Sequence, residues 1–154
     1  MKAKDLRGTM KRGAGCLIIC TATSRFLLIR RSQFVPEAGT WSLPGGKVES
    51  GERAKQGAIR ETMEEIGRDL TGHRMDLVYV NDTHAPRFRF YTYATTVDKQ
   101  FEPMLNWEND GYLWCDLDDL PSPLHWGLQQ MLAHDGAGKR VNQLMVKKSS
   151  VLDS

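Results

Sequence analysis

No C-x-x-C pair occurs in this sequence, and cysteine itself is scarce: Cys16, Cys20 and Cys115 stand apart among 154 residues. On an extended strand Cys16 and Cys20 share a face but lie roughly 13 Å apart, at about 3.3 Å per residue, too far for a disulfide. The three read as buried free thiols of a reducing compartment, the cytoplasm, and a structural zinc site is not expected. Long hydrophobic runs are missing too. The first apolar stretch, 16–20, is too short for a secretory signal and no small-residue cleavage site follows it. Nothing approaches a membrane span, so no membrane partner is expected. A large excess of one charge is also absent. A formal net charge of +2 argues against an extensive nucleic-acid surface. Lys2, Lys4, Arg7, Lys11 and Arg12 gather at the start, where they read as a solvated, frayed end. No internal repeat is visible.

What remains is an ordinary globular composition, 40% hydrophobic and 26% charged, in a chain long enough for one well-filled core. The predicted organisation is a basic extension at 1–14, one domain at 15–138 and a tail at 139–154 that lacks a strong period. Residues 15–23 and 25–32 are apolar, β-branched runs broken at Ser24 and read as two strands. Residues 33–40 form a loop, 41–43 a short extended piece, and Pro44-Gly45-Gly46 a stop. A helix follows to Ile66, with Ser50 as N-cap, Gly67 as C-terminal stop, and an apolar stripe of Ala54, Ala58, Ile59, Met63 and Ile66. Strands are expected at 75–81, 87–97 and 111–116. In 87–97, Phe88, Phe90, Thr92 and Ala94 share one face and Arg89, Tyr91 and Tyr93 the other. A second helix spans 124–134 and ends at Asp135-Gly136. This order has too few helices for a doubly wound fold; a mixed α+β sheet with helices on its two faces fits better.

The first helix carries an oddity. Glu61, Glu64 and Glu65 stand at i, i+3 and i+4 and project from one face. Two like charges at ~6 Å repel by about 0.7 kcal/mol in water and ~3 at an effective dielectric of 20. The cluster also sits at the helix C-terminus, where the macrodipole disfavours anions by roughly 0.3–1 kcal/mol each. A hard divalent cation with oxygen ligands would remove both penalties. A solvated face helped by Arg60 and Arg68 would account for the helix taken alone. The preceding Pro44-Gly45-Gly46 allows close backbone approach to a ligand, and Lys47 adds a cation for phosphate.

Together these residues resemble the Nudix box. It has a glycine, five residues, a glutamate, seven residues, Arg-Glu, two residues, Glu-Glu, one residue and a glycine. Here they are Gly46, Glu52, Arg60-Glu61, Glu64-Glu65 and Gly67, approached by Trp41-Ser42-Leu43-Pro44-Gly45-Gly46. Thr62 and Arg68 depart from positions where the family prefers aliphatic residues. The resemblance implies an αβα-sandwich fold, with 15–138 as a single Nudix-type catalytic domain. It implies Mg²⁺, with Mn²⁺ as the alternative, held by Glu61, Glu64, Glu65 and the Gly46 carbonyl. Arg60 and Glu52 would orient the cluster through an ion pair, and Glu61 is the expected base. Glu108 resembles a supplementary ligand or base on a later loop, with Asp110 and then Glu102 as rivals. Such an enzyme cuts the diphosphate linkage of a small-molecule nucleotide, a nucleoside triphosphate or a nucleoside diphosphate derivative.

Lys47, Trp41, Phe34, Arg30 and His84 are the expected substrate contacts. Phe88, Phe90, Tyr91, His125 and Trp126 are further aromatic candidates, for which core packing is the rival role. Subfamily signatures are missing: the proline of ADP-ribose-specific members would fall at Thr83, the tyrosine of dinucleoside polyphosphate members at His84 or Ala85, and Leu124 stands where an asparagine reads oxidised guanine. Two other readings compete. One is a non-catalytic nucleotide-binding regulatory module, although no box glutamate is lost. The other is an RNA 5′-end pyrophosphohydrolase, supported by the basic start with Arg87 and Arg89. A homodimer, common in the family, is compatible with the sequence but specified by no feature of it.

Overall fold

The computed structural model describes residues 10–84 and 87–153, with the backbone alone for His84 and for 146–153. Its elements run β1 Lys11–Cys20, β2 Arg25–Arg31, β3 Trp41–Ser42, β4 Gly45–Lys47, α1 Ala54–Ile66, β5 Asp76–His84, β6 Arg87–Val97, β7 Asn109–Cys115, α2 Trp126–Ala133 and α3 Asp135–Asp153. Seven strands form one mixed sheet in which β1 is central and pairs with β6 in parallel along all ten residues, from Lys11↔Phe88 to Cys20↔Val97. Both faces of β1 are covered, so it reads as a continuous hydrophobic run. Ala14, Cys16, Ile18 and Cys20 pack with Leu27, Ile29, Ala58 and Ile66 beneath α1. Leu17 and Ile19 join Phe26, Leu28, Leu128, Met131, Val141 and Met145 beneath α2 and α3. The result is the expected αβα sandwich, and all three cysteines are buried free thiols.

The hairpin of β1 and β2 pairs only near its turn, at Ile19↔Phe26 and Cys20↔Arg25. Away from the turn the two strands splay, and the chain from 41 to 47 fills the fork. β3 pairs with β2 at Ile29↔Ser42 and Arg30↔Trp41, while β4 pairs with β1 from Gly13↔Lys47 to Gly15↔Gly45. The two glycines expected only as a stop are thus strand residues. The register of β1 against β4 supplies the hydrogen bonds that glycine's own low strand propensity does not predict.

Other boundaries shift for similar reasons. β1 begins at Lys11, so residues 11–14 of the expected extension belong to the central strand, where the long pairing with β6 holds them. Arg12 is committed as well, donating to the Glu52 carbonyl at 2.9 Å. α1 starts three residues later than expected. Ser50 does not cap it; the Arg53 N–H donates to Gln56 Oε1 at 3.0 Å, and the other end closes at Gly67 in the left-handed region, φ 69°. The expected tail is helical to Asp153, because Ala137, Val141 and Met145 recur at four-residue spacing against the core. His134 breaks the chain between α2 and α3 in extended conformation, and its Nδ1 accepts the Ala137 N–H at 3.1 Å. No helix among the described residues is long and apolar enough to cross a membrane.

Met63, expected in the apolar stripe of α1, is half-exposed, and Thr62 takes the buried position instead. Its hydroxyl lies beside the Cys16 thiol and makes no hydrogen bond of ordinary length among the described residues. An unsatisfied buried hydroxyl carries its desolvation cost uncompensated. Thr62→Val, with nearly the same shape, is therefore expected to raise the unfolding free energy by about 1 kcal/mol. Urea denaturation measures this, and a loss of stability would show that the hydroxyl has a partner.

Candidate active site

α1 lies across β1 and β4, so the face bearing Glu61 and Glu65 is set directly against the glycine strand. Glu65 is only 4% exposed. Its Oε1 accepts the Gly45 N–H at 2.7 Å and its Oε2 accepts Asn109 Nδ2 at 3.3 Å. Glu61 sits over Gly46, where an added Cβ would come within 2.5 Å of the Glu61 carboxyl carbon. Glycine at 46 is thus required by close approach. Burial pushes both carboxyls up to about 7. For Glu61 the Glu64 charge adds to burial against relief from Arg60, and the Glu108 charge raises it further. For Glu65 the two hydrogen bonds counteract burial, while Glu108 and Glu61 oppose them.

Arg60 organises the outer side of the cluster. Its Nε and Nη2 reach the two Glu52 carboxylate oxygens at 2.9 and 3.0 Å, a bidentate pair. Nη2 also donates to the Lys47 carbonyl at 2.8 Å, and Nη1 reaches Glu64 Oε1 at 3.2 Å and Glu61 Oε2 at 3.5 Å. The guanidinium, helped by the Glu49 N–H, holds Glu52 down to about 2. One arginine thereby ties the loop before α1 to three glutamates on or beside it. Among the described residues, no three Asp, Glu, His or Cys side chains already close on a single point. Arg60 draws the half-exposed Glu64 toward itself, so an ion would compete with Arg60 for that carboxylate. The donor set nevertheless suits a hard cation, with Glu61 and Glu65 short of positive charge and a glycine that keeps other side chains away.

The later loop delivers one of the three rival carboxylates. Glu108 stands close enough for its charge to act on both Glu61 and Glu65. Asn106 fixes it from both ends, accepting the Glu108 N–H at 3.0 Å and donating to Glu108 Oε1 at 3.2 Å. Asp110 is engaged elsewhere, by Arg30 Nε at 2.7 Å, and Glu102 is exposed. Asn106 and Asn109 were not singled out from sequence. Asn106 had a local signal, since an asparagine side chain in a loop accepts the backbone N–H two residues on, here that of Glu108. The partner of Asn109, 44 residues away, was not readable.

The expected substrate contacts scatter. Arg30 lies over the partly buried Trp41 ring, 5.8 Å from its centroid, and pairs with Asp110. The Lys47 side chain is exposed, while its carbonyl serves Arg60. Phe34 is 70% exposed. The side chain of His84 lies outside the described residues. None of these four described contacts lines the cavity of about 400 Å³ that opens beside Gly45 on the other side of the sheet. That cavity is walled by Tyr79, Phe88, Phe90, His125 and Trp126, with Arg31 as its cation. Four of the five further aromatic candidates are therefore in place; Tyr91 instead packs toward α1. β3 positions His125, whose N–H donates to the Trp41 carbonyl at 2.8 Å and whose Nδ1 accepts the Gly127 N–H at 3.1 Å. Burial first, then Arg31, lowers the affinity of His125 for a second proton. Its one ring proton is then assigned to Nε2.

The raised carboxyls make stability depend on pH in a definite direction. Below the ordinary value of 4.5, Glu61 and Glu65 are protonated in both the folded and unfolded states and contribute no pH dependence. As pH rises toward 7 the unfolded chain ionises first, the folded state holds more protons, and stability falls. In chelator, the urea midpoint is expected to drop between about pH 5 and about pH 8, and Glu61→Gln and Glu65→Gln should flatten the drop. A wild-type midpoint independent of pH over this window would mean the carboxyls are not buried as described.

The same fold recurs in known proteins. The NUDIX domain model matches residues 9–134. The asymmetrical bis(5′-nucleosyl)-tetraphosphatase of Sus scrofa is 36% identical over 100 residues, which span 61% of this chain and 65% of that protein. The 8-oxo-dGTP diphosphatase of Proteus vulgaris is 37% identical over 54 residues, 35% of this chain and 48% of that protein. The crystal structure of a MutT NUDIX hydrolase from Burkholderia pseudomallei superposes with a TM-score of 0.67 at 32% identity, covering 78% of this chain and 93% of that one. With the box residues gathered on α1 and β4 and the family match running through most of the sequence, this chain belongs to the Nudix family.

Proposed function

We propose that this protein hydrolyses the diphosphate linkage of a nucleotide. The observation that carries the reading is the pair of like-charged carboxylates, partly buried Glu61 and buried Glu65, set against Gly45–Gly46, with an aromatic cavity opening beside Gly45. Such a pair is costly without a cation, and the adjacent cavity has the volume and lining of a nucleoside pocket. Glu61, Glu64, Glu65 and the Gly46 carbonyl, with Glu108 as a further oxygen, would hold Mg²⁺ or Mn²⁺. Bound there, the ion would neutralise diphosphate charge and lower the pKa of water at the site. Glu61 takes the proton from the attacking water, and Glu108 is the alternative base, because Asp110 is committed to Arg30. Arg60 and Glu52 keep the carboxylates oriented, and Tyr79, Phe88, Phe90, His125 and Trp126 receive the base. Water adds to one phosphorus, the bridging P–O bond breaks, and a nucleoside monophosphate is among the products.

The names of the similar proteins supply substrate arms for the test: a dinucleoside tetraphosphate and an oxidised guanine nucleotide, beside ordinary nucleoside triphosphates, nucleotide sugars, ADP-ribose and capped RNA. Of the basic residues behind the RNA-end alternative, Arg89 pairs with Asp82 at 2.9 Å and Arg12 serves the Glu52 carbonyl, while Lys2, Lys4 and Arg7 lie outside the described residues. With Mg²⁺ the protein is expected to release a nucleoside monophosphate from at least one of these compounds, and chelator should abolish turnover. Glu64→Gln and Glu65→Gln should each lower kcat by about 10²–10³-fold. Comparable turnover in these variants would overturn the mechanism. Tight nucleotide binding by a wild type that hydrolyses nothing would favour the regulatory module. Arg60→Ala and Glu52→Gln should each cost about 10–100-fold in metal affinity or rate, measured by Mg²⁺ titration of activity.

A further inference from the structure

Arg68 stands where the Nudix box prefers an aliphatic side chain, and the acidic cluster makes no use of it. Gly67 ends α1 at φ 69°, and the guanidinium of the next residue settles over the Phe101 ring, 4.4 Å from its centroid. Phe101 is itself anchored. Its ring meets Trp114 edge-on with centroids 5.3 Å apart, and its carbonyl accepts Trp114 Nε1 at 3.0 Å. Arg25, Arg30, Arg60, Arg74 and Arg89 are each paired with a carboxylate. Half-buried Arg68 makes no side-chain hydrogen bond or ion pair among the described residues. A guanidinium held over a ring keeps its planar fork of N–H donors, which matches the oxygens of a phosphate two at a time.

That guanidinium borders an open cleft of about 560 Å³ at the C-terminal end of β6, lined also by His73, Thr96, Asp98, Lys99 and Phe101. The cleft shares no residue with the aromatic cavity beside Gly45 or with the acidic cluster. Lys99 is exposed, and its ammonium likewise has no carboxylate partner among the described residues. His73 Nδ1 donates to the Thr96 carbonyl at 3.3 Å, which leaves Nε2 for a ligand. Asp98 is the carboxylate of the lining, and Asp69, near His73, accepts the Thr71 N–H at 2.9 Å. Two cations against one lining carboxylate give the cleft an excess of positive charge. We propose that Arg68 and Lys99 form a second anion site, separate from the carboxylate cluster, that binds a phosphate group. Inorganic phosphate, pyrophosphate and a nucleoside monophosphate share that group, and the test separates them. Binding here does not depend on the hydrolase reading.

The measurement is calorimetric titration of the protein, freed of divalent metal by dialysis, with inorganic phosphate, pyrophosphate and AMP. Wild type is expected to bind at least one of them. Arg68→Ala should weaken that binding about 10- to 100-fold, the worth of hydrogen bonds to a charged group. Arg68→Lys should recover only part of the loss, because an ammonium lacks the fork. Arg68→Ala also uncovers the Phe101 ring, so Asp98→Asn supplies a variant that leaves this packing in place. Removing the opposing charge there should tighten binding. Arg31→Ala, in the aromatic cavity, should leave it unchanged. In NMR spectra the Lys99 and Phe101 amides should shift as the anion is added. Tighter binding of AMP than of the two inorganic anions assigns a nucleotide as the ligand; an equal or reversed order assigns the inorganic anion. The proposal is overturned if none of the three binds, if binding survives Arg68→Ala and ignores Asp98→Asn, or if Arg31→Ala is the variant that abolishes it.

Discussion

A carboxylate in a protein interior is stable only if its neighbours supply hydrogen bonds or positive charge, and Glu65 sits in the interior with two other carboxylates beside it. Much of the local architecture follows from that constraint. β4 must be backbone alone at 45 and 46, so that an N–H can reach Glu65 and so that Glu61 can lie on the strand without collision. Asn109 must begin β7 so that its amide faces the second oxygen. Arg60 must stay between Glu52 and Glu64, and the Glu52 carboxylate must remain ionised to hold it there.

The splayed β1–β2 hairpin makes this arrangement reachable. A regular hairpin would pair β1 with β2 along its length and leave no edge for β4. Because the strands part after Ile19↔Phe26, one edge of β1 accepts β4 and one edge of β2 accepts β3. β4 then lies under α1 and forms the floor of the acidic cluster. β3 holds the segment leading to α2 through Trp41 and so places His125 in the wall of the aromatic cavity. The acidic cluster and the aromatic cavity meet at Gly45 because one irregularity in the sheet builds both.

Legibility differed by the range of the interaction. The strand runs, the helix to Ile66, the Gly67 stop and the alternation of β6 were readable because each depends on local period or on a single backbone conformation. The box was readable because its spacing is carried on one helix and one turn. The Ser50 cap failed because the Glu49 N–H donates to Glu52 at 2.9 Å and closes a turn there, which delays the helix. Met63 and Thr62 were exchanged because one residue of phase decides which side chain faces β1. The strand character of 11–14 and the helix after 135 were hidden, since pairing with β6 and packing of Ala137, Val141 and Met145 are tertiary events.

By itself the sequence determined the αβα layering and the residues of the acidic helix face, because hydrophobic period and fixed spacing along one helix are local properties. It could name aromatic candidates but not sort them. Only the tertiary structure sent Phe88 and Phe90 into the cavity and Tyr91 to the opposite core, brought Glu108 rather than Asp110 to the carboxylates, and left Phe34 and Trp107 in water. The reason is that Ser32 and Trp107, Gly45 and Glu65, and Asn109 and Glu65 meet only after the sheet has brought distant segments together.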